Sequence, residues 1–562
     1  MPGHSPPRRS LLIALFAVLA VLWFGNLDYR KLVRPDEGRY AEIPREMAAS
    51  GDWLTPRLNG IKYFEKPPLQ YWATAAAYRA FGEHQWTARL WPALTGFAGI
   101  LVVYFAGAAL FGALAGFYAA VVLSSSLGYV LVAHVATLDM GVTFFMTLTL
   151  TGLLLGLGQD ATAAANRLWI HVAWAAMALA ALSKGLIGVV LPVAVLGAYI
   201  VLQRDFGLLR RMHLLSGSLL FLLIAAPWFV AVSIANPEFF DFFFVHEHFQ
   251  RFLTQGHRRP GPWWYFFPVL AFAILPWLPT LFAALPGSWK KRETSAGFQP
   301  QRLLVIWTLL IFAFFSLSGS KLPSYILPVF PALALLIGHY LSRAAASRLR
   351  WQLAPLPLLG LLIMGAASQA VRFASDEVPV ALYEAYVPWL QGAGAVFLAG
   401  SGYALYRCLR GAPTPALIAL GISSLVAGQL AMMGHDSLSP ASSAYHVAQK
   451  IKPYLRPDAP FYSVGTYEQT LPFYIKRPVT LVAFADEMAY GLAHEPQLWL
   501  RDDEEFERAW RASSYALAMM TPRTYTRFEE KGLPMQIIAR DSRRVFVTTV
   551  AHASAKADDR RP

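Results

Sequence analysis

The chain has 562 residues, of which 56% are hydrophobic and 15% charged, with a mean hydropathy of +0.41. That composition leaves too little polar surface for a water-soluble chain and describes a polytopic membrane protein. The formal charge of +14 would suit nucleic acid, but the basic residues fall largely in short loops between apolar runs, so no nucleic-acid partner is expected.

Arg8 and Arg9 precede an apolar run that reaches about Phe24 without a small-residue cleavage site, which reads as a retained first span rather than a signal peptide. Windows long enough to cross the hydrocarbon begin near residues 10, 88, 112, 136, 165, 185, 212, 264, 302, 322, 352, 384 and 413, giving about thirteen spans. An odd number puts the termini on opposite sides. Arg204, Arg210 and Arg211, then Lys290, Lys291 and Arg292, then Arg343, Arg348 and Arg350, and finally Arg407 and Arg410 share the side of Arg8 and Arg9. That side is cytoplasmic by the positive-inside rule. Residues 28–87 form a long loop on the other face, with Asp and Glu interleaved among the basic residues; long loops escape the rule. The single cysteine, Cys408, permits neither an intrachain disulfide nor a cysteine-rich metal site.

Charged clusters recur on the face of the 28–87 loop, and polar groups gathered at one face of an apolar bundle imply an active site there. The first is Asp36, Glu37, Arg39, Tyr40 and Glu42. Its plain reading is an interfacial helix capped by Asp36 with Arg39 paired to a carboxylate; its functional reading points Asp36 into a pocket. The second, Tyr63-Phe64-Glu65-Lys66-Pro67-Pro68, sets a carboxylate and an ammonium on backbone stiffened by two prolines, either as solvated loop charges or with Lys66 as a phosphate ligand. The third, Leu138-Asp139 near His134, enters a span from the same face. An acid there is either a helix N-terminal charge or part of the site.

The fourth cluster runs from Phe242 to Phe252 and holds His246, Glu247, His248 and Arg251. His246 with Glu65 is a candidate pair for a divalent cation, although His residues at i, i+2 do not share a helix face and make no local chelate. Arg251 among phenylalanines suits a polyprenyl phosphate, with apolar walls for the lipid and a guanidinium for its head. The fifth, Ser318 to Tyr325, offers Lys321 and Tyr325 as phosphate or sugar ligands, or as an interfacial anchor. Ser183-Lys184-Gly185 is a similar loop that reads as an ordinary polar turn.

Beyond about residue 435 the hydropathy drops. β-rich runs at Val479–Phe484, Tyr515–Met520 and Val545–Val550 alternate with helix-like Ala444–Tyr454 and Glu504–Ala512. The chain thus divides into a membrane domain, 1–435, and a soluble α/β domain, 436–562, expected in the periplasm and concerned with acceptor access rather than chemistry. There is no internal repeat and no Gly-rich nucleotide loop, which disfavours a nucleotide-sugar donor.

Taken in order, Arg34–Tyr40 with Ala41-Glu42-Ile43 and Arg45-Glu46-Met47, Ala49-Ser50-Gly51-Asp52-Trp53, Tyr63–Pro67, Leu138-Asp139, Glu247-His248 with Gln250-Arg251-Phe252, Leu275-Pro276-Trp277, and Lys321-Leu322-Pro323 with Tyr325-Ile326-Leu327 resemble the aminoarabinose transferases of Gram-negative bacteria. This is the ArnT family of lipid A glycosyltransferases, related to protein O-mannosyltransferases. The resemblance implies a GT-C fold, a lipid-phosphate sugar donor and a site on the periplasmic face of the inner membrane. It also implies inverting transfer of 4-amino-4-deoxy-L-arabinose from undecaprenyl phosphate to lipid A phosphates, which lowers surface negative charge and gives resistance to polymyxin. Pro68, Ser183 and the soluble tail depart from the family pattern.

On that reading Asp36 orients the acceptor and stabilises the oxocarbenium-like centre, and Asp139 holds the sugar's ammonium. Arg39, Lys66, Arg251 and Lys321 take the donor phosphate, which gains charge as it leaves. Tyr40, Tyr63, Glu65 and Tyr325 contact substrate, and a divalent metal at Glu65 and His246 is the one cofactor considered. Two other functions compete: transfer of a neutral sugar from the same kind of donor to protein, and lipid or solute transport. Transport calls for charges near the midplane and for repeated halves, neither of which the sequence shows.

Overall fold

A computed structural model describes residues 9–244, 261–289 and 297–549. Among them, eight helices are long and apolar enough to cross a membrane, or ten if each of two bent pairs is one span. The apolar Arg9–Phe24 and Ile187–Gln203 helices are shorter than a full crossing. The helices form because apolar runs satisfy their backbone internally, the only economical solution in hydrocarbon. Their outer faces stay unpaired, as Leu215, Leu223 and Ile234 on Leu214–Ala235 illustrate. Inner faces meet through small residues: a Cβ on Gly152 would lie 2.5 Å from the Trp169 carbonyl oxygen of the neighbouring helix.

Five helices frame the water-facing end: α1 (Asp36–Ser50), α2 (Leu69–Phe81), α3 (Gln85–Phe111), α4 (Asp139–Gly156) and α5 (Ala163–Lys184). Helix α1 is polar by composition, yet most of it is buried, from Glu37 and Gly38 to Met47. It is no surface amphipathic helix but a wedge between the membrane bundle and the soluble domain. A Cβ on Gly38 would lie 2.5 Å from the Gln469 backbone, so only glycine lets the two domains approach this closely. The helix stops at Gly51, whose left-handed conformation (φ 76°) lets its N–H reach the Met47 carbonyl. Pro67 and Pro68 delay the next helix to Leu69.

Between them, β1 (Arg57–Leu58) and β2 (Ile61–Lys62) pair antiparallel around Asn59-Gly60, both at positive φ. This is the turn that an Asn-Gly dipeptide favours. The Asn59 amide exchanges hydrogen bonds with the backbone of Val479, at 2.7 and 2.8 Å, which ties the hairpin to the soluble domain.

The last long apolar helix ends at Gly434. Beyond it lies a six-stranded sheet in the order β5-β4-β3-β6-β8-β7, comprising β3 (Phe461–Val464), β4 (Thr480–Val482), β5 (Trp499–Leu500), β6 (Leu517–Met520), β7 (Gln536–Arg540) and β8 (Val545–Thr548). Strands β3 to β6 pair in parallel, while β8 runs antiparallel to β6 and β7. The membrane and soluble parts share a core, since Tyr40, Ile43, Met47, Tyr63 and Tyr71 are buried in the same cluster as Val447, Leu471, Leu481 and Met488. The protein is thus a polytopic helical bundle with an α/β domain docked onto the loop side.

Candidate active site

The N-termini of α1 and α4 converge on a cavity of about 200 Å³, lined by Asp36, Arg39, Tyr40, Glu65, Lys66, Thr137, Leu138, Asp139, Lys184, Leu322, Tyr325, Asp486 and Glu487. Two helix N-termini and three cations, Arg39, Lys66 and Lys184, meet five carboxylates in one space, so the cavity offers both donors for a phosphate and acceptors for a cationic group. Asp36 is the first residue of α1 and makes no cap bond; Pro35 holds the cap position. Its carboxylate accepts instead from Arg39, at 3.0 Å. Arg39 also pairs with Glu487 of the soluble domain.

Asp139, at the start of α4, pairs with Lys184 at the end of α5. The Lys184 ammonium lies 4.9 Å from the centre of the Tyr325 ring. Lys66 donates to its neighbour's backbone oxygen at 2.8 Å and sits 3.9 Å from the Glu65 carboxylate. Burial pushes the Glu487 carboxyl up, against the pull of Arg39. Burial likewise raises the Tyr40 phenol, which stacks on Tyr71 with ring centres 6.3 Å apart.

Asp139, Lys184 and Tyr325 also line a narrow apolar slot walled by Val142, Met146, Ile187, Leu191, Phe315 and Pro328. A charged cavity therefore adjoins an apolar gap between the helices of the bundle.

Of the residues singled out from sequence, Asp36, Arg39, Tyr40, Glu65, Lys66, Asp139 and Tyr325 meet here. Tyr63 is buried behind them in the shared core rather than on the lining. Lys321 is off the lining too; its ammonium donates to the carbonyls of Phe315, Ser316 and Ser318 and closes the end of Pro300–Leu317. His246 and Arg251 lie outside the described residues, so the proposed Glu65–His246 metal pair does too. Among the described residues no group of three or more His, Cys, Asp or Glu is placed to hold a metal.

Three charged lining residues were not anticipated. Lys184, read as part of an ordinary turn, is the counter-charge of Asp139. Its signal is a lysine at the end of an apolar helix, a place that calls for a carboxylate partner. Asp486 and Glu487 come from the soluble domain, which from sequence is expected to serve acceptor access rather than chemistry and supplies no predicted site residue. Asp486 also sits at φ 36°, a conformation rare outside glycine and concentrated at functional sites.

Behind the cavity lies a closed ion pair. Both Glu37 oxygens accept from Arg89, at 2.7 and 2.8 Å, and each takes a backbone N–H as well, from Ala136 and Val33 at 3.0 Å. The remaining Arg89 donors reach the carbonyls of Leu27, Arg30 and Lys31. Burial would push the Glu37 carboxyl up, but Arg89, Arg30 and the Ala136 N–H bring it down to about 2.

Comparison with known proteins places this geometry. Residues 447–549 match the family model "Aminoarabinose transferase C-terminal domain", and residues 9–243 match "Dolichyl-phosphate-mannose-protein mannosyltransferase". The chain is 33% identical over 506 residues to undecaprenyl phosphate-alpha-4-amino-4-deoxy-L-arabinose arabinosyl transferase 2 of Pseudomonas fluorescens, covering 87% of this chain and 83% of that one. The crystal structure of ArnT from Cupriavidus metallidurans bound to undecaprenyl phosphate superposes with a TM-score of 0.92 at 39% identity, over 97% of this chain and 99% of that one. The archaeal oligosaccharyltransferase AglB of Archaeoglobus fulgidus, at 12% identity and a TM-score of 0.50 over 91% of this chain and 70% of that one, shares the fold alone.

Proposed function

The chain belongs to the ArnT family of aminoarabinose transferases, and on that premise we propose that it transfers 4-amino-4-deoxy-L-arabinose from undecaprenyl phosphate to phosphate groups of lipid A. The observation that carries this reading is the meeting of the polar cavity with an apolar slot at Asp139, Lys184 and Tyr325. A polyprenyl phosphate needs that junction, with cations for its head and hydrocarbon for its chain.

In the reaction an acceptor phosphate oxygen attacks the anomeric carbon from the face opposite the donor phosphate. The new C–O bond forms as the bond to undecaprenyl phosphate breaks, so the configuration inverts. An acceptor phosphate is already anionic and needs no strong base. Asp36 therefore orients the reacting groups and stabilises positive charge at the anomeric carbon. Arg39, Lys66 and Lys184 offset the charge gained by the departing phosphate, help that is stronger in the transition state than before it. Asp139 is assigned the sugar's ammonium, in exchange for Lys184.

The site faces the periplasm in this reading. That placement rests on the positive-inside pattern of the short loops and on the count of about thirteen spans expected from the sequence, against eight to ten among the described residues. The test is transfer by purified protein from undecaprenyl phosphate-linked aminoarabinose to lipid A, read by mass. An added aminopentose is expected. Modification of a protein acceptor, with lipid A unchanged, would overturn the assignment.

A further inference from the structure

Of the five carboxylates of the cavity, Asp36 and Asp139 come from helix starts about a hundred residues apart along the chain. Asp36 and Asp139 each lie next to a segment held by Glu37. On one side Glu37 is the residue after Asp36, and its Oε2 accepts from Val33 N–H at 3.0 Å, bracing the entry to α1. On the other, its Oε1 accepts at 3.0 Å from Ala136 N–H, in the short connection that delivers Thr137 and Asp139 to the lining. Arg89 of α3 locks the carboxylate in place by a two-point contact and spends its other donors on Leu27, Arg30 and Lys31, on the chain leading into α1. Arg30 in turn donates to the His134 carbonyl at 2.6 Å, a second strut between the same two segments.

Every donor of Arg89 and every acceptor position of Glu37 is thereby used. Both residues are almost wholly buried, at 1% exposure. They do not line the cavity and cannot touch substrate. A buried pair of this kind is weak evidence for stability as such, because well-packed apolar residues do as well. What an apolar pair cannot do is bond the backbone of two separate segments at once.

We infer that Glu37 and Arg89 are positioning residues for the transfer: they act as a yoke that sets the separation of Asp36 from Asp139 and hence the distance between acceptor and anomeric carbon. The inference rests on the transferase reading above. It assigns to a concealed ion pair a role in kcat rather than in substrate affinity.

The variants of choice keep charge and change reach. Glu37→Asp retains the carboxylate but draws it back by one methylene, so that Arg89, Val33 and Ala136 cannot all be held. Arg89→Lys retains the cation but loses the fork. Both are assayed as full-length protein in detergent, with kcat and KM for donor and acceptor measured beside Tm. Each variant is expected to remain folded and monodisperse, with kcat reduced by about 10–100-fold, the scale on which a displacement of about 1 Å acts, and KM within about threefold. A wild-type kcat in folded Glu37→Asp would overturn the inference. So would a loss of rate that only tracks the fraction of folded protein, with kcat per folded molecule unchanged. Wild-type enzyme run alongside separates the two levels: absence of transfer there would overturn the function and this inference together, whereas an active wild type beside an equally active Glu37→Asp would overturn the positioning alone.

Discussion

Glu37 with Arg89 and Asp139 with Lys184 are ion pairs of the same chemistry, each beside the start of a helix at one end of the bundle, yet they are built to opposite ends. The first is closed, with its side chains 1–2% exposed and every hydrogen-bonding position taken. The second faces a cavity, with side chains 12–17% exposed, and is the pair proposed above to open for a ligand. Completeness of bonding separates a charge that holds the protein from a charge that holds a substrate.

The comparison breaks most visibly by deleting one member of the closed pair. Glu37→Ala or Arg89→Ala leaves a buried charge without its counterpart and should lower stability by about 3–5 kcal/mol, read as a large fall in Tm in detergent. A loss under about 1 kcal/mol would mean that water reaches the pair and that the contrast is false. Asp36→Asn tests the open side. It keeps shape and removes charge, so kcat should fall by about 10²–10³ with Tm and donor binding unchanged.

Which side a residue belongs to was only partly legible in the sequence. Spans show themselves because apolar length is a local property, and Asp36, Arg39, Glu65 and Lys66 lie close enough along the chain to be read as a group. Lys184 has no such company. Its partner lies 45 residues upstream, and only the folded bundle brings them together. Glu487 belongs to a domain whose composition says nothing of Arg39, over 400 residues away. Lys321 carries the reverse lesson: a lysine in a Gly-Ser loop looks like a ligand, but the nearest acceptors are the carbonyls that end the preceding helix. The strand Phe461–Val464 was missed because four residues between Pro460 and Gly465 are too few to show an alternation.

Removing the exchangeable cation should sit between the extremes. Lys184→Ala is expected to reduce turnover by about 10–100-fold, in line with about 1.5–3 kcal/mol for a hydrogen bond to a charged group. Tm should shift far less than in Arg89→Ala; an equal shift would make Lys184 a structural residue.

Acid and base sharpen the contrast along α1 itself. Glu37 is held down to about 2, so its stabilisation is complete above the ordinary carboxylate range and is lost as pH falls from that range toward 2. Glu46 runs the other way: burial first, then the neighbouring Glu42 carboxylate, push its carboxyl well up, while its Oε2 accepts from Gly60 N–H at 2.8 Å. Its contribution is present at low pH and lost as pH rises through the elevated value. Glu46→Gln should therefore raise Tm at pH 8, by an amount equivalent to about 1 kcal/mol, and leave it unchanged near pH 4. A lower Tm at pH 8 would show that Glu46 is an ionised partner of Arg45. Least affected should be Lys531→Ala, which removes an exposed pair with Glu507 and is expected to change stability by roughly 0–1 kcal/mol.

The Arg39–Glu487 contact also has a meaning in time. A ribosome makes Asp36 roughly 450 residues before Glu487, which at about 5–20 residues per second is about 20–90 s. During that interval the nascent chain acquires the cations and carboxylates of its membrane domain one after another, beside lipids that bear phosphate. The cavity acquires its last wall only when the final domain has folded and met α1 at Gly38. An unfinished or truncated chain thus has the charges of the site without its enclosure, and the competence to act on lipid arrives with the completed protein.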